Sequence, residues 1–239
     1  MIAILAGGRA QRMGRGVKSI NMTKGLMEIP IFGGGSETVI DRLIRQLKDA
    51  KAINGPEDIL LCVGYKENLV REKYPDCKFL TTFDINDPSE ALVAFHKTIE
   101  TFCDNQFIFI MGDSVWSQDA MDDFISVANN APMVVYHGTD PHDCEIFGVA
   151  LNGSVGFDLV KKVNACKSMP VVQGEIRWEL ENKKTIPPRD CRTSCMEKWI
   201  DDQGLPGKIR IYQCGYVDDI DWDEDHKRIC EDIKAGRVK

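Results

Sequence analysis

Two groups of residues in this chain could do chemistry, one suited to a phosphate ligand and the other to a divalent cation. The first is Gly7-Gly8-Arg9-Ala10-Gln11-Arg12-Met13-Gly14, directly after the apolar run Ile2–Ala6. Glycines let a backbone approach a phosphate closely, and their N–H groups can converge as an anion-binding nest. Arg12 adds a planar cationic fork that matches phosphate oxygens. Lys24 follows in Thr23-Lys24-Gly25-Leu26, with Lys18 as a further cation in the spacer. The second group is acidic. Asp113 comes straight after the apolar run Phe107–Met111, and Asp219 and Asp221 stand two apart near the far end. Magnesium takes oxygen ligands such as these, although an Asp after a strand also commonly caps the next turn or helix. Alternation along an extended segment puts Asp219 and Asp221 on one face. Asp223, Glu224 and Asp225 need no ligand, because acidic residues are favoured in a helix's first turn.

Such residues need elements to position them. Short apolar runs predict buried strands at Ile2–Ala6, Asp58–Tyr65, Phe107–Met111, Met133–His137 and Ile146–Leu151, with an alternating strand over Ile209–Val217. Between them lie helical patterns. Val39, Ile40, Leu43, Ile44 and Leu47 form an i, i+3/i+4 stripe over Glu37–Lys51, with Ser36 as the N-cap. Further helices are predicted over Ser89–Phe102, Ser117–Asn129, Gly156–Asn164 and Asp223–Ala235. Strands of continuous apolar residues alternating with helices predict an α/β fold. The expectation is a single-domain three-layer α/β/α sandwich over residues 1–239, with a mostly parallel mixed sheet. Ligands in such sheets bind beyond the carboxyl ends of the strands. Lys183–Gly207, rich in Pro, Asp and Cys, reads as an irregular excursion.

Two familiar phosphate loops are excluded. No Gly-Lys-Ser/Thr completes a P-loop, and glycines at 7, 8 and 14 do not give G-x-G-x-x-G. Composition narrows the field further. A net charge of −7 over 239 residues disfavours a general nucleic-acid binder. No run approaches the roughly 18 apolar residues of a membrane span, and the opening residues do not read as a signal peptide. Nine scattered cysteines without a Cys-x-x-Cys pair read as reduced thiols of a cytoplasmic protein. His137 and His142 lie near Cys144, but no zinc-finger spacing supports them.

Leu5-Ala6-Gly7-Gly8-Arg9-Ala10-Gln11-Arg12-Met13-Gly14 and Thr23-Lys24-Gly25-Leu26-Met27-Glu28-Ile29 together resemble the opening signature of the nucleotidyltransferases with a glycosyltransferase-A-like, Rossmann-like fold. The LAGGR and KGL details are similar to molybdenum cofactor guanylyltransferases. The longer spacer is nearer to the sugar-phosphate and phosphocholine-type enzymes. The resemblance implies that the first loop wraps a nucleoside triphosphate, with Arg12 and Lys24 on its phosphates. It implies that Asp113 is the main metal ligand. Tyr216–Asp225 resembles the family's Asp-Ile-Asp-Thr-Pro-Glu-Asp segment, which makes Asp221 the second ligand and Asp219 the fallback, although Trp222-Asp223 replaces Thr-Pro. It further implies nucleotide contacts from Leu5, Ala6, Gly7, Gly8, Gly64 and Ser89, the last standing where the family has Gly-Thr-Ala. Glu145–Val149 resembles the acceptor strand, giving Glu145 and Gly148 as substrate residues. Glu175 and Trp178 could bind a cationic group, or belong to an ordinary amphipathic helix.

The activity implied is magnesium-dependent transfer of a nucleoside monophosphate from a triphosphate to a phosphorylated small molecule, releasing pyrophosphate. A phosphate monoester is largely dianionic at neutral pH and needs no strong general base. Arg12, Lys24 and Asp113 would carry the catalysis by positioning and charge stabilisation. The sequence is compatible with a homodimer. Other readings are a molybdenum cofactor guanylyltransferase-like enzyme, a nucleotide-sugar-dependent glycosyltransferase, whose Asp-x-Asp motif Asp219-Ile220-Asp221 satisfies literally, and a non-catalytic nucleotide-binding regulatory protein.

Overall fold

The structure, a computed structural model, describes residues 1–7, 23–81, 106–137, 146–156, 158–159, 204, 207–213 and 215–238. The first strand, β1 (Ile2–Leu5), is buried along its whole length, which is why its sequence is apolar without alternation. A 3-10 turn at Lys24–Leu26 leads into a small hairpin of β2 (Glu28–Pro30) and β3 (Ser36–Thr38). Helix α1 (Val39–Asp49) follows, then β4 (Ile59–Val63), α2 (Glu67–Lys73) and β5 (Lys78–Thr81). The middle of the chain gives β6 (Gln106–Met111), β7 (Ser114–Trp116), α3 (Gln118–Val127), β8 (Met133–His137) and β9 (Ile146–Asn152). The last described elements are β10 (Ile209–Gln213), β11 (Val217–Asp219) and α4 (Asp223–Lys234).

Seven strands form one sheet in the order β10-β8-β9-β6-β1-β4-β5. β1 pairs in parallel with β4 and β6, β4 with β5, and β8 with β10. Only β9 runs against its neighbours, β6 and β8. This is the mostly parallel mixed sheet of an α/β fold that the sequence predicts. Because β1, β4 and β6 are parallel, their carboxyl ends share one edge. Met111 is level with Leu5, and Leu5 with Cys62.

Two boundaries differ from expectation. Thr38, not Ser36, is the N-cap of α1: its Oγ1 accepts the Asp41 N–H at 3.1 Å, and the Asp41 carboxylate accepts the Thr38 N–H at 3.2 Å. This reciprocal box satisfies two otherwise orphan donors, while Ser36 pairs with Pro30 in the hairpin. The Tyr74 hydroxyl lies 2.6 Å from Thr38 Oγ1 and pins the cap from the other side. The predicted strand Ile209–Val217 divides into β10 and β11, which lie in different sheets. The break is at Gly215, where φ is 69° and a Cβ would come within 2.4 Å of Ala120 Cβ. Residues 153–156 and 158–159 are helical, three residues ahead of the predicted start at Gly156. The helix predicted at Ser89–Phe102 lies outside the described residues, as do His142, Cys144, Cys191 and Cys195 and all but Gly204 and Gly207 of the Lys183–Gly207 segment.

The core lies where α1, α3 and α4 meet the sheet. Val39, Ile40, Leu43 and Leu47 of α1 join Ile2, Ile4, Ile59, Leu61 and Ile110 in one buried cluster. Trp116, Phe124 and Tyr136 belong to the same cluster, with ring centroids 5.1–5.6 Å apart, Trp116 stacked on Tyr136 and Phe124 tilted against both. Among the described residues, no helix is long and apolar enough to cross a membrane.

Candidate active site

The carboxyl edge of the sheet is drawn together by backbone hydrogen bonds between strand ends. The Ala6 N–H donates to the Cys62 carbonyl (2.8 Å), the Tyr65 N–H to Gly7 (3.3 Å) and the Gly112 N–H to Leu5 (2.9 Å). Leu5, Ala6, Gly7, Gly64 and Asp113 therefore sit at one edge. Gly112 makes this approach feasible, since a Cβ there would lie 2.2 Å from the Leu5 carbonyl oxygen. Gly25 does the same for the 3-10 turn. A Cβ on Gly25 would lie 2.8 Å from the Ile40 side chain and 2.9 Å from the Gly112 carbonyl. Two glycines thus bring Lys24 and Asp113 side by side.

The far end of the chain completes the site through a two-stranded antiparallel ladder. β11 pairs with β7, setting Asp219 opposite Ser114. The Ile220 N–H donates to the Asp113 carbonyl at 3.1 Å, and the Ser117 N–H to Tyr216 at 2.8 Å. α1 holds this ladder with polar groups on its buried face. Arg42 Nε (3.1 Å) and Gln46 Nε2 (2.8 Å) both donate to the Trp116 carbonyl. A buried arginine needs a counter-charge, and Glu37 supplies it at 3.3 Å.

Carboxylate oxygens of Asp113, Asp219 and Asp221 consequently lie within 4.8 Å of one another. Lys24 Nζ donates to Asp113 Oδ2 at 3.0 Å and to Asp221 Oδ1 at 2.5 Å. Burial alone would lower the Lys24 pKa, but Asp113, Asp221 and Asp219 outweigh it and hold the ammonium above its ordinary value. Three carboxylates thus share one small space with this ammonium. An all-oxygen set of this kind suits a hard divalent cation, and the cluster already holds one positive charge, the Lys24 ammonium.

Asp218 faces away from this cluster. It is buried and paired with Arg228, with the Tyr216 hydroxyl donating to it at 3.2 Å. Asp225 accepts the Trp222 N–H at 2.8 Å and pairs with Arg228 at 3.0 Å. Trp222, whose indole cannot accept a hydrogen bond, thereby still serves as the N-cap of α4, its carbonyl accepting the His226 N–H at 3.2 Å. Asp221, just ahead of this cap, shares the Lys24 ammonium with Asp113.

The structure therefore gathers Leu5, Ala6, Gly7, Lys24, Gly64, Asp113, Asp219 and Asp221 at one edge. Gly8, Arg12, Lys18, Ser89, Glu145, Glu175 and Trp178 lie outside the described residues. Gly148 belongs to the core instead: it pairs with Ile110 and Tyr136, and a Cβ there would come 2.8 Å from the Phe124 ring. Its need for glycine is one of packing. Sequence reasoning passed over Gly25, Gly112, Arg42 and Gln46. A glycine immediately before the strand-end aspartate was the visible signal for Gly112.

Residues 2–170 match the MobA-like NTP transferase domain. The chain belongs to that family. This nucleotidyltransferase also resembles solved structures over nearly its whole length. HddC from Yersinia pseudotuberculosis, complexed with GMP-PN, is 18% identical with a TM-score of 0.53, covering 98% of this chain and 99% of that one. A putative glucose-1-phosphate thymidylyltransferase from Bacillus anthracis is 15% identical with a TM-score of 0.57, over 98% and 94% of the two chains. A CMP:2-keto-3-deoxy-manno-octonic acid synthetase complexed with CTP is 11% identical with a TM-score of 0.57, over 99% and 98%. At these identities the likeness is one of fold. No curated protein matches the nucleotidyltransferase by sequence. The family match ends before Asp219 and Asp221, so it is the ladder of β7 and β11 that joins them to Asp113.

Proposed function

We propose that the chain transfers a nucleoside monophosphate from a triphosphate to the phosphate of a small phosphorylated sugar, alcohol or amine, releasing pyrophosphate. The observation that carries this reading is the convergence of Lys24 with Asp113, Asp219 and Asp221 beside the end of β1. The acceptor phosphate attacks the α-phosphorus, and its second pKa of about 6 makes it a competent nucleophile without a general base. Leu5, Ala6, Gly7, Gly8, Gly64 and Ser89 bind the nucleotide. Arg12 and Lys24 hold the β- and γ-phosphates and oppose the charge that grows on departing pyrophosphate. Asp113 and Asp221, with Asp219 beside them, hold magnesium, which when bound supplies Lewis-acid polarisation of phosphate oxygens. Glu145, Glu175 and Trp178 bind the acceptor. A single domain of residues 1–239 carries the reaction in the cytoplasm.

A matrix of the common nucleoside triphosphates against phosphorylated sugars, alcohols and amines, read by pyrophosphate release, tests this. The expected result is release that requires both a triphosphate and one acceptor class, and that stops on chelation of divalent cations. Release without any acceptor, or none with the full matrix, contradicts the reading.

A further inference from the structure

The Lys24 ammonium does not stand beside the three-carboxylate cluster; it stands in it. Its Nζ donates to oxygens of two of the three aspartates, at 3.0 and 2.5 Å, and the third adds its charge from close by. The lysine side chain is only 10% exposed, so water does little to screen it. Two local features hold it there. The turn that carries it is a closed 3-10 turn with Met27 N–H donating to the Lys24 carbonyl at 3.0 Å, and Gly25 lets that turn sit against the Gly112 carbonyl.

From this we infer that Lys24 and the divalent cation compete for one carboxylate nest, so that the cation enters well only when a triphosphate is present to receive the displaced ammonium. A divalent cation on Asp113 and Asp221 must share their oxygens with Lys24 or expel it. Sharing would force a buried ammonium and a doubly charged ion within a few ångströms of each other, where repulsion is strong. Expulsion releases a cation on a long, flexible stem, and triphosphate oxygens are the natural receiver. Lys24 is then a loading switch. It occupies the nest before substrate arrives, and it makes binding of metal and of triphosphate reciprocally favourable. This rests on the reading of the cluster as a metal site, and its failure can be told apart from failure of that reading.

The test is Mn2+ binding to nucleotide-free protein, followed by electron paramagnetic resonance, for wild type, Lys24→Met and Lys24→Arg. Lys24→Met is expected to bind Mn2+ about tenfold more tightly than wild type or better, since it removes a buried competing charge. Lys24→Arg, which keeps the cation, is expected to stay weak. A lysine that merely braced the site would give weaker binding in Lys24→Met, and equal affinity in all three would mean that the ammonium does not oppose the cation at all. Either result overturns the switch while leaving the metal site in place. No binding by any of the three overturns the metal site and the switch together. Wild type alone supplies a second readout that survives misfolding of the variants. Reductive methylation at Lys24, measured by peptide mass spectrometry, is expected to rise severalfold when Mn2+ and a non-hydrolysable triphosphate are replaced by Mn2+ alone at saturating concentration, because the expelled amine then lacks its receiver. Protection of Lys24 under saturating Mn2+ alone counts against the switch.

Discussion

Replacing Gly112 with alanine tests how the sheet edge is assembled. The added Cβ would stand 2.2 Å from the Leu5 carbonyl oxygen and 2.8 Å from its carbon. Carbon and oxygen normally settle at about 3.3 Å or beyond, so β1 and the end of β6 must separate by roughly 1 Å. Both partners are backbone, so no side chain can swing aside to absorb the clash. The movement stretches the 2.9 Å hydrogen bond from the Gly112 N–H to that same carbonyl. Overpacking plus a weakened buried hydrogen bond costs about 2–4 kcal/mol. In a chain of this size that corresponds to a melting point lower by roughly 4–16 °C. The displacement falls on the residue before Asp113, and a shift of ~1 Å at a reacting centre can cost on the order of a hundredfold in rate. Thermal melts and pyrophosphate release on the folded fraction measure the two effects separately. A Gly112→Ala variant that melts and turns over like wild type refutes the account of the edge.

Gly148→Ala supplies the contrast: its Cβ first meets side-chain rings, Phe124 at 2.8 Å and Trp116 at 3.3 Å, rather than backbone. It is expected to lower stability by about 1–3 kcal/mol with turnover per folded molecule near wild type; a selective rise in the acceptor KM would instead return Gly148 to the acceptor site. Asp219→Asn is expected to raise the metal concentration for half-maximal turnover about tenfold or more, whereas Asp218→Asn leaves that concentration alone and lowers stability by ~1–2 kcal/mol, a value kept modest because the Arg228 partner is partly in water. Arg12→Ala is expected to lose roughly two to three orders of magnitude in turnover with an unchanged melting curve; full activity removes Arg12 from the phosphate site. Burial, with Asp76 and Glu57 adding to it, pushes the Cys77 thiol from 9.0 up to about 11. The folded state therefore holds that proton more tightly than the unfolded state does. Stability is unaffected by this group below pH 9.0 and falls as pH rises from there toward 11. Urea midpoints of wild type and Cys77→Ala should diverge over that window, and a constant difference contradicts the assignment.

What could be read from the sequence follows the range over which each signal acts. Continuous apolar runs located β4, β6, β8 and β9 to within a residue or so, because a strand buried on both faces has no polar residue to confuse the pattern. The cap of α1 was misplaced by two residues because Ser36 and Thr38 are both competent caps. The choice was made by the Asp41 carboxylate and the Tyr74 hydroxyl, and Tyr74 comes from another element. The division of Ile209–Val217 is a tertiary decision of the same kind, since only contact with Ala120 in α3 shows why Gly215 must be a glycine. The acidic site was legible in part. Strand alternation put Asp219 and Asp221 on one face, and position after a strand singled out Asp113. The structure brings both Asp219 and Asp221 beside Asp113. Asp219 is fixed by its register opposite Ser114, and Asp221 by the Ile220 N–H on the Asp113 carbonyl, so the ladder of β7 and β11 delivers both. That ladder hangs on the Trp116 carbonyl, held by Arg42 and Gln46 from the apolar side of a helix. Polar residues in an apolar stripe look like noise along the chain. In three dimensions they connect α1 to β7, the strand on which β11 and its aspartates pair.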